Sequence, residues 1–350
     1  MKTEIISIDA DSINLDKIGY AAEVLKSGGL VAFPTETVYG LGANALNENT
    51  VKNIFAAKGR PSDNPLIVHI ADKNEVGSLV SDIPPSALRL MDEFWPGPLT
   101  IIMNKSDRIP PTITAGLGTV AVRMPSHPVA LALIMKSGLP IAAPSANTSG
   151  RPSPTSAKHV IDDLSGKVDV IIDAGCTNIG LESTVLDMTA NPPMILRPGG
   201  ITLLQLGAIL HRVELDSALI GEFLHNTAPK SPGMKYVHYS PKAEVVIIEG
   251  EISRTVETIN KMVRDYSLKG TRVGILATEQ TKDLYYGAEV LSSGDRCNPE
   301  TIASNLFRIL REFDDKHMEI ILAESIDSHG IGLAVMNRLS RAAGHNIIKV

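Results

Sequence analysis

Aromatic residues are scarce, only 4% of the 350 positions, which leaves little of the stacked Phe, Tyr and Trp surface on which single-stranded nucleic acids are held. Basic charge is in deficit as well. Lys and Arg number 33 against 39 Asp and Glu, a formal net charge of −6, so no global positive field draws in RNA or an anionic membrane. The two cysteines, Cys176 and Cys297, can build neither a zinc cluster nor a disulfide framework, and point to a reducing cytoplasm. No apolar run approaches the length of about 18 residues that a transmembrane helix needs, and Met1-Lys2-Thr3-Glu4 lacks the apolar core of a signal peptide. Neither Gly-x4-Gly-Lys-Ser/Thr nor Gly-x-Gly-x-x-Gly occurs, so a nucleotide site must be of another kind.

What is present is an α/β pattern. Hydrophobic residues at 43% suffice for real cores, and a length of 350 residues suggests two domains. Strand-like runs at Leu30 to Phe33, Leu66 to Ile70, Leu99 to Met103, Thr119 to Arg123 and Ile141 to Ala143 alternate with helical runs at Ile18 to Ser27, Asn49 to Ala57, Pro84 to Trp95 and Pro128 to Lys136. Trp95-Pro96-Gly97-Pro98 reads as a rigid corner. The expected organisation is a first domain over residues 1–212, a linker over 213–241, and a smaller parallel-sheet domain of Rossmann-like type over 242–350. In that last part, Gly330-Ile331-Gly332 before a helical run reads as helix packing. No internal repeat appears.

The stretch Phe33 to Ile70 holds the most unusual residues. A buried strand stops at Pro34, and Thr35 and Thr37 emerge at its end, where sites are commonly built. A helical run then ends in Lys58-Gly59-Arg60-Pro61. Cations at a helix C-terminus suit its dipole and need no ligand. The following loop, Arg60-Pro61-Ser62-Asp63-Asn64-Pro65, is stiffened by prolines, however, and fixed cations and amides on a stiff loop suit a phosphate. His69 lies in the next strand and is open to a second reading as a satisfied strand histidine. Arg123 ends a strand and needs a partner, either an anionic substrate or an acidic side chain. Ala143-Pro144-Ser145-Ala146-Asn147, continuing to Ser153 and Thr155, is either a polar loop capping a helix or a phosphate-binding strand end. Arg197-Pro198-Gly199 puts a further cation on a tight turn.

The Pro34-to-Gly42 run PTETVYGLG, the Lys58-x-Arg60 pair with Asn64-Pro65-Leu66, and Ser145-Ala146-Asn147 together resemble the YrdC family. With Ser183-Thr184-Val185, Arg197-Pro198-Gly199 and Ser231-Pro232-Gly233-Met234-Lys235-Tyr236, the resemblance covers essentially the whole chain and extends to that family's long, two-domain threonylcarbamoyl-AMP synthases. It implies a YrdC-like twisted α/β domain followed by the smaller Rossmann-like one. It implies condensation of L-threonine, bicarbonate and ATP to threonylcarbamoyl-adenylate and pyrophosphate, chemistry that rests on positioning and charge stabilisation.

By the same resemblance, Lys58 and Arg60 are the catalytic residues. Thr35, Thr37, His69, Arg123 and Ser183 hold threonine. Arg60, Asn64, Thr119, Ala143, Ser145, Asn147, Ser153, Arg197 and Tyr236 hold ATP, with Tyr236 on a linker segment, Ser231 to Pro241, that lies over the pocket. Magnesium is expected with ATP, without dedicated protein ligands. The product is expected to pass to a transferase complex that modifies tRNA, with weak direct tRNA contact left open. Two other classes share such a domain. A nucleic-acid-binding module is disfavoured by the acidic balance, and a hydrogenase-maturation carbamoyl transferase would need zinc-finger cysteines.

Overall fold

The structure is a computed structural model that describes residues 2–219 and 239–350. They divide into two compact units: one takes residues 2–149 and 153–219, the other residues 150–152 and 239–350. Of the linker expected over 213–241, residues 220–238, with Met234, Lys235, Tyr236 and His238, lie outside the described residues.

In the first unit the strands are β1 (Glu4–Ser7), β2 (Val31–Phe33), β3 (Gly40–Asn44), β4 (Ile67–His69), β5 (Leu99–Asn104), β6 (Thr119–Arg123), β7 (Ile141–Ala142), β8 (Val170–Asp173), β9 (Thr184–Asp187), β10 (Met194–Arg197) and β11 (Glu214–Leu215). They form one mixed sheet in the order β1-β8-β2-β3-β7-β4-β6-β5-β9-β10-β11. Helix α1 (Leu15–Lys26) starts where the Asn14 side chain accepts from the backbone N–H groups of Asp16 and Lys17. Helix α2 (Glu48–Lys58) is capped in the same way by Asn47, and it stops at Gly59, whose φ of 61° is a left-handed turn that glycine makes without strain. Lys58 is therefore the last residue of a helix and is held in place by it.

Side-chain alternation decides which face of the sheet the site can use. On β4, β5 and β6, residues Val68, Ile101, Met103, Val120 and Val122 enter the main core with Val51, Ile54 and Phe55 of α2. Their neighbours Ile67, Ile102 and Ala121 point the other way and form a small separate cluster with Val185 and Leu196. A strong helix-packed face thus leaves a second, sparsely apolar face.

The second unit is a parallel sheet of β12 (Glu244–Glu249), β13 (Val273–Ala277), β14 (Glu289–Ser292), β15 (Ile320–Glu324) and β16 (Ile347–Lys349), in the order β14-β13-β15-β12-β16. Parallel pairing demands crossovers, here the helices Ile252–Ser267, Pro299–Asp315 and Gly332–Ala342. At the end of β15 the buried Glu324 carboxylate accepts from Thr278, Thr281, Tyr285 and Arg296. That ion pair is fully hydrogen-bonded, which is the condition for tolerating a buried charge. Gly332 packs so closely that a Cβ would stand 2.0 Å from the Asp327 carbonyl oxygen, in keeping with a glycine used for packing.

Gly199 shows how tightly the β9 start is built. A Cβ there would lie 2.3 Å from the Thr184 nitrogen and 2.5 Å from the Glu182 oxygen. Gly199→Ala is expected to cost on the order of 1–3 kcal/mol through forced backbone displacement, measured by chemical denaturation. Unchanged stability would contradict this packing.

Candidate active site

The sparsely apolar face supplies the floor of the candidate site. Register pairs Ile67 with Ala121 and His69 with Arg123 between β4 and β6, and Thr100 with Arg123 between β6 and β5. Paired residues share a face, so Thr119, Ala121 and Arg123 line up on β6 beside Ile67 and His69. Four residues at about 3.3 Å each separate Thr119 from Arg123 by roughly 13 Å. One sheet face therefore carries candidates for both substrates, at opposite ends.

At the end nearer Thr119 the chain brings Lys58 to the turn after β7. Its Nζ donates to the carbonyl oxygens of Ser145 and Asn147, the latter at 2.6 Å, and to Asn147 Oδ1 at 3.2 Å. Ser145 Oγ donates to the same Asn147 Oδ1 at 2.5 Å, and Ser145 bridges Gly40 of β3. Arg60 Nη2 donates to the carbonyls of Asn64 and Pro65, each at 3.3 Å, bending the proline loop back on the helix end. Asn64 is fully buried, yet neither Oδ1 nor Nδ2 has a hydrogen-bond partner. A buried amide without partners costs stability, so it calls for an explanation. Ala143 completes this end, its N–H donating to the Ile67 carbonyl at 3.0 Å.

At the other end, Arg123 is buried and donates to three oxygens: Glu36 Oε1 at 2.6 Å, Thr37 Oγ1 at 3.0 Å and the Gly97 carbonyl at 3.3 Å. The sequence left its partner open between a substrate and an acidic side chain, and within the chain that partner is Glu36. Thr35 Oγ1 lies 2.8 Å from Thr37 Oγ1 and donates to the Val38 carbonyl, so the PTET turn is laced through its own hydroxyls. His69 is buried beside this pair and its Nδ1 has no partner. Burial, and then the neighbouring Arg123 charge, pull its pKa down to about 3, so the ring is neutral at physiological pH.

Ser183 and Arg197 meet at the start of β9. Arg197 Nε donates to the Ser183 carbonyl at 3.0 Å and Nη2 to Ser183 Oγ at 3.1 Å, while Thr100 Oγ1 stands 2.8 Å from that hydroxyl. A bulge between Ile195 and Arg197 shifts the register against β9, the device that aims Arg197 at Ser183. Ser153 Oγ donates to the Glu182 carboxylate. The backbone N–H groups of Ile179 and Gly180 donate to the Glu36 and Thr37 carbonyls, which joins this region to the PTET turn. Tyr236 lies outside the described residues. Sequence reasoning missed Glu36, Glu182 and Thr100, which hold Arg123, Ser153 and Ser183. The signal for Glu36 was its place between two threonines already singled out.

The pH dependence of folding follows from His69. Its proton affinity is lower in the folded chain than in the unfolded one, so stability is full above about pH 6.5 and falls as pH drops toward the folded value. Between pH 7.5 and 5.0, wild type is expected to lose on the order of 2 kcal/mol relative to His69→Gln. Denaturant titrations of both proteins at the two pH values check this, and an equal change in both would contradict it.

Comparison with known proteins identifies relatives over both units. A Sua5/YciO/YrdC family model, described as telomere recombination, matches residues 23–199, and a model described as the threonylcarbamoyl-AMP synthase C-terminal domain matches residues 201–344. A threonylcarbamoyl-AMP synthase of Bacillus subtilis is 50% identical with 100% of both chains covered, and one of Pyrococcus abyssi is 51% identical over 95% of this chain and 96% of its own. The crystal structure of Pyrococcus abyssi Sua5 complexed with L-threonine superposes with a TM-score of 0.94 at 49% identity, covering 99% of this chain and 100% of that one. With one family model on each part of the chain and full-length relatives at half identity, this protein belongs to the two-domain threonylcarbamoyl-AMP synthase family.

Proposed function

We propose that the chain condenses L-threonine, bicarbonate and ATP into threonylcarbamoyl-adenylate and pyrophosphate. The observation that carries this is the sheet face with Thr119 toward one end and His69 and Arg123 toward the other, with Lys58 bonded to the turn that follows β7. The L-threonine held by the Pyrococcus abyssi protein supports threonine as the amino acid. In this reading the threonine ammonium and bicarbonate give a carbamate, water and a proton. A carbamate oxygen then attacks the α-phosphorus, and pyrophosphate leaves. Negative charge gathers on the phosphates, and no nucleophilic side chain is needed.

Each side chain then has a task that its surroundings permit. A guanidinium has five N–H donors, and Arg123 spends three on the protein, so five minus three leaves two for the threonine carboxylate. Thr35, Thr37 and Ser183 supply hydroxyls, and neutral His69 serves as a hydrogen-bond partner because burial makes it a poor base. Lys58 sits at the carbamate and Arg60 beside the phosphates. Asn64, Thr119, Ala143, Ser145, Asn147, Ser153 and Arg197 form the nucleotide side, where the unpartnered Asn64 amide finds its acceptors and donors. Tyr236 is assigned to the nucleotide by motif, on the Ser231 to Pro241 segment.

Magnesium arrives with ATP in this reading and offsets the charge of the triphosphate. Among the described residues no three His, Cys, Asp or Glu side chains cluster to hold an ion, and the nearby Glu36 and Glu182 carboxylates are engaged by Arg123 and Ser153. The product suits transfer to an adenosine of ANN-decoding tRNA by a separate cytoplasmic transferase complex. Among the described residues no helix is long and apolar enough to cross a membrane.

Incubation with ATP, magnesium, threonine and carbon-13 bicarbonate is expected to yield a threonylcarbamoyl-adenylate heavier by one mass unit, with pyrophosphate released in equal amount. Serine in place of threonine is expected to give far less. Pyrophosphate release that ignores threonine, or a product without the label, would overturn the assignment.

A further inference from the structure

We infer that Arg311 is a positioning residue for the nucleotide side of the site, acting through the Pro152 peptide; this rests on the function proposed above. Arg311 lies near the end of the helix Pro299–Asp315 and is 4% exposed. It directs two donors at one oxygen: Nε at 3.1 Å and Nη2 at 2.5 Å from the Pro152 carbonyl. Two donors of a buried guanidinium converge on one peptide oxygen 159 positions away in the chain, a charge-assisted hold on the Pro152 peptide.

The same compact unit grips the loop at two more points. The Ser240 N–H donates to the Gly150 carbonyl at 2.9 Å. Arg151 Nη2 stands 3.9 Å from the Asp314 carboxylate, which is itself fixed by the Lys242 N–H at 2.7 Å. Ser240 follows Tyr239, whose ring stacks on Phe307 with centroids 5.1 Å apart and lies under Arg338 at 5.6 Å. Tyr239 has a φ of 67°, a conformation a bulky residue adopts only when its surroundings impose it. The grip is therefore built on anchored residues.

What is gripped is a short run between nucleotide-side candidates. Ser145 and Asn147 precede Gly150, and Ser153 follows Pro152 directly. Pro152 and Pro154 flank Ser153, so ring-locked backbone on both sides passes any displacement of the Pro152 peptide to the Ser153 hydroxyl and its bond to Glu182. Arg311 touches no reacting atom. It sets where Ser153 stands.

The test is equilibrium titration of full-length protein with ATP and magnesium, and separately with threonine. Arg311→Ala is expected to weaken ATP binding about tenfold or more and threonine binding by less than about twofold. Arg311→Lys, which restores one charged donor, is expected to recover part of the ATP affinity. Arg308→Ala, on the exposed side of the same helix, is expected to match wild type. If the Ala variant does not fold, Arg311→Gln decides. A folded variant with wild-type ATP affinity overturns the inference, as does an equal loss for ATP and threonine together with a lower Tm. Because binding is read without turnover, a wild type that binds ATP but makes no adenylate sinks the proposed reaction and leaves this comparison valid.

Discussion

The junction of α2 with the 145–147 turn hangs on one buried ammonium. Lys58 ends α2 as a residue 2% exposed, its ammonium bonded to two peptide carbonyls and an amide oxygen of the 145–147 turn. A lysine charge is removed from water only where oxygens replace the lost hydration. The turn supplies them, and so the helix end, the β7 exit and the Gly40 bridge are fixed relative to one another. The Lys58 carbonyl accepts from the Ser149 N–H at 2.9 Å, which closes the same junction from the backbone side.

The second end of the site obeys the same rule with different partners. Arg123 is neutralised by Glu36 and tied to the PTET turn, and Arg197 is held against Ser183 by a bulge. Both cations are held by the protein's own oxygens, so their charge is fixed in position. Among the buried polar atoms without a partner are those of Asn64, three residues before the short strand β4, and of His69 at its end. Their exposure of 0% and 3% makes that lack of partners expensive unless a ligand supplies them.

Much of this was legible in sequence because the strongest signals are periodic. Thr119–Arg123 is the strand its alternation predicts, and Glu48–Lys58 contains the helical run expected over Asn49 to Ala57. The strand Gly40–Asn44 was not legible, since two glycines in five residues argue against a strand; Gly42 is there because a Cβ would meet Phe33 at 2.8 Å and Ile141 at 2.9 Å. Those glycines make room for protein side chains. Lys58, Ser145 and Asn147 were singled out by motif, and their mutual bonds could not be, because Lys58 and Asn147 lie 89 positions apart. Glu36 escaped for the opposite reason. It looked like one polar residue in a polar turn, and only the fold reveals it as the counterion of Arg123.

The role of the second unit is legible in neither composition nor motif. Its parallel sheet was predicted from alternating apolar runs, but its hold on Gly150–Pro152 depends on packing.

The central claim is that the buried Lys58 junction serves the reaction. Replacing Lys58 with Met keeps the aliphatic stem and removes the charge, and adenylate formation and unfolding free energy are measured on the same preparation. The account predicts a folded protein, weakened by roughly 1–3 kcal/mol for the carbonyls left unbonded, with adenylate formation abolished. A folded Lys58→Met protein that turns over at the wild-type rate would contradict it.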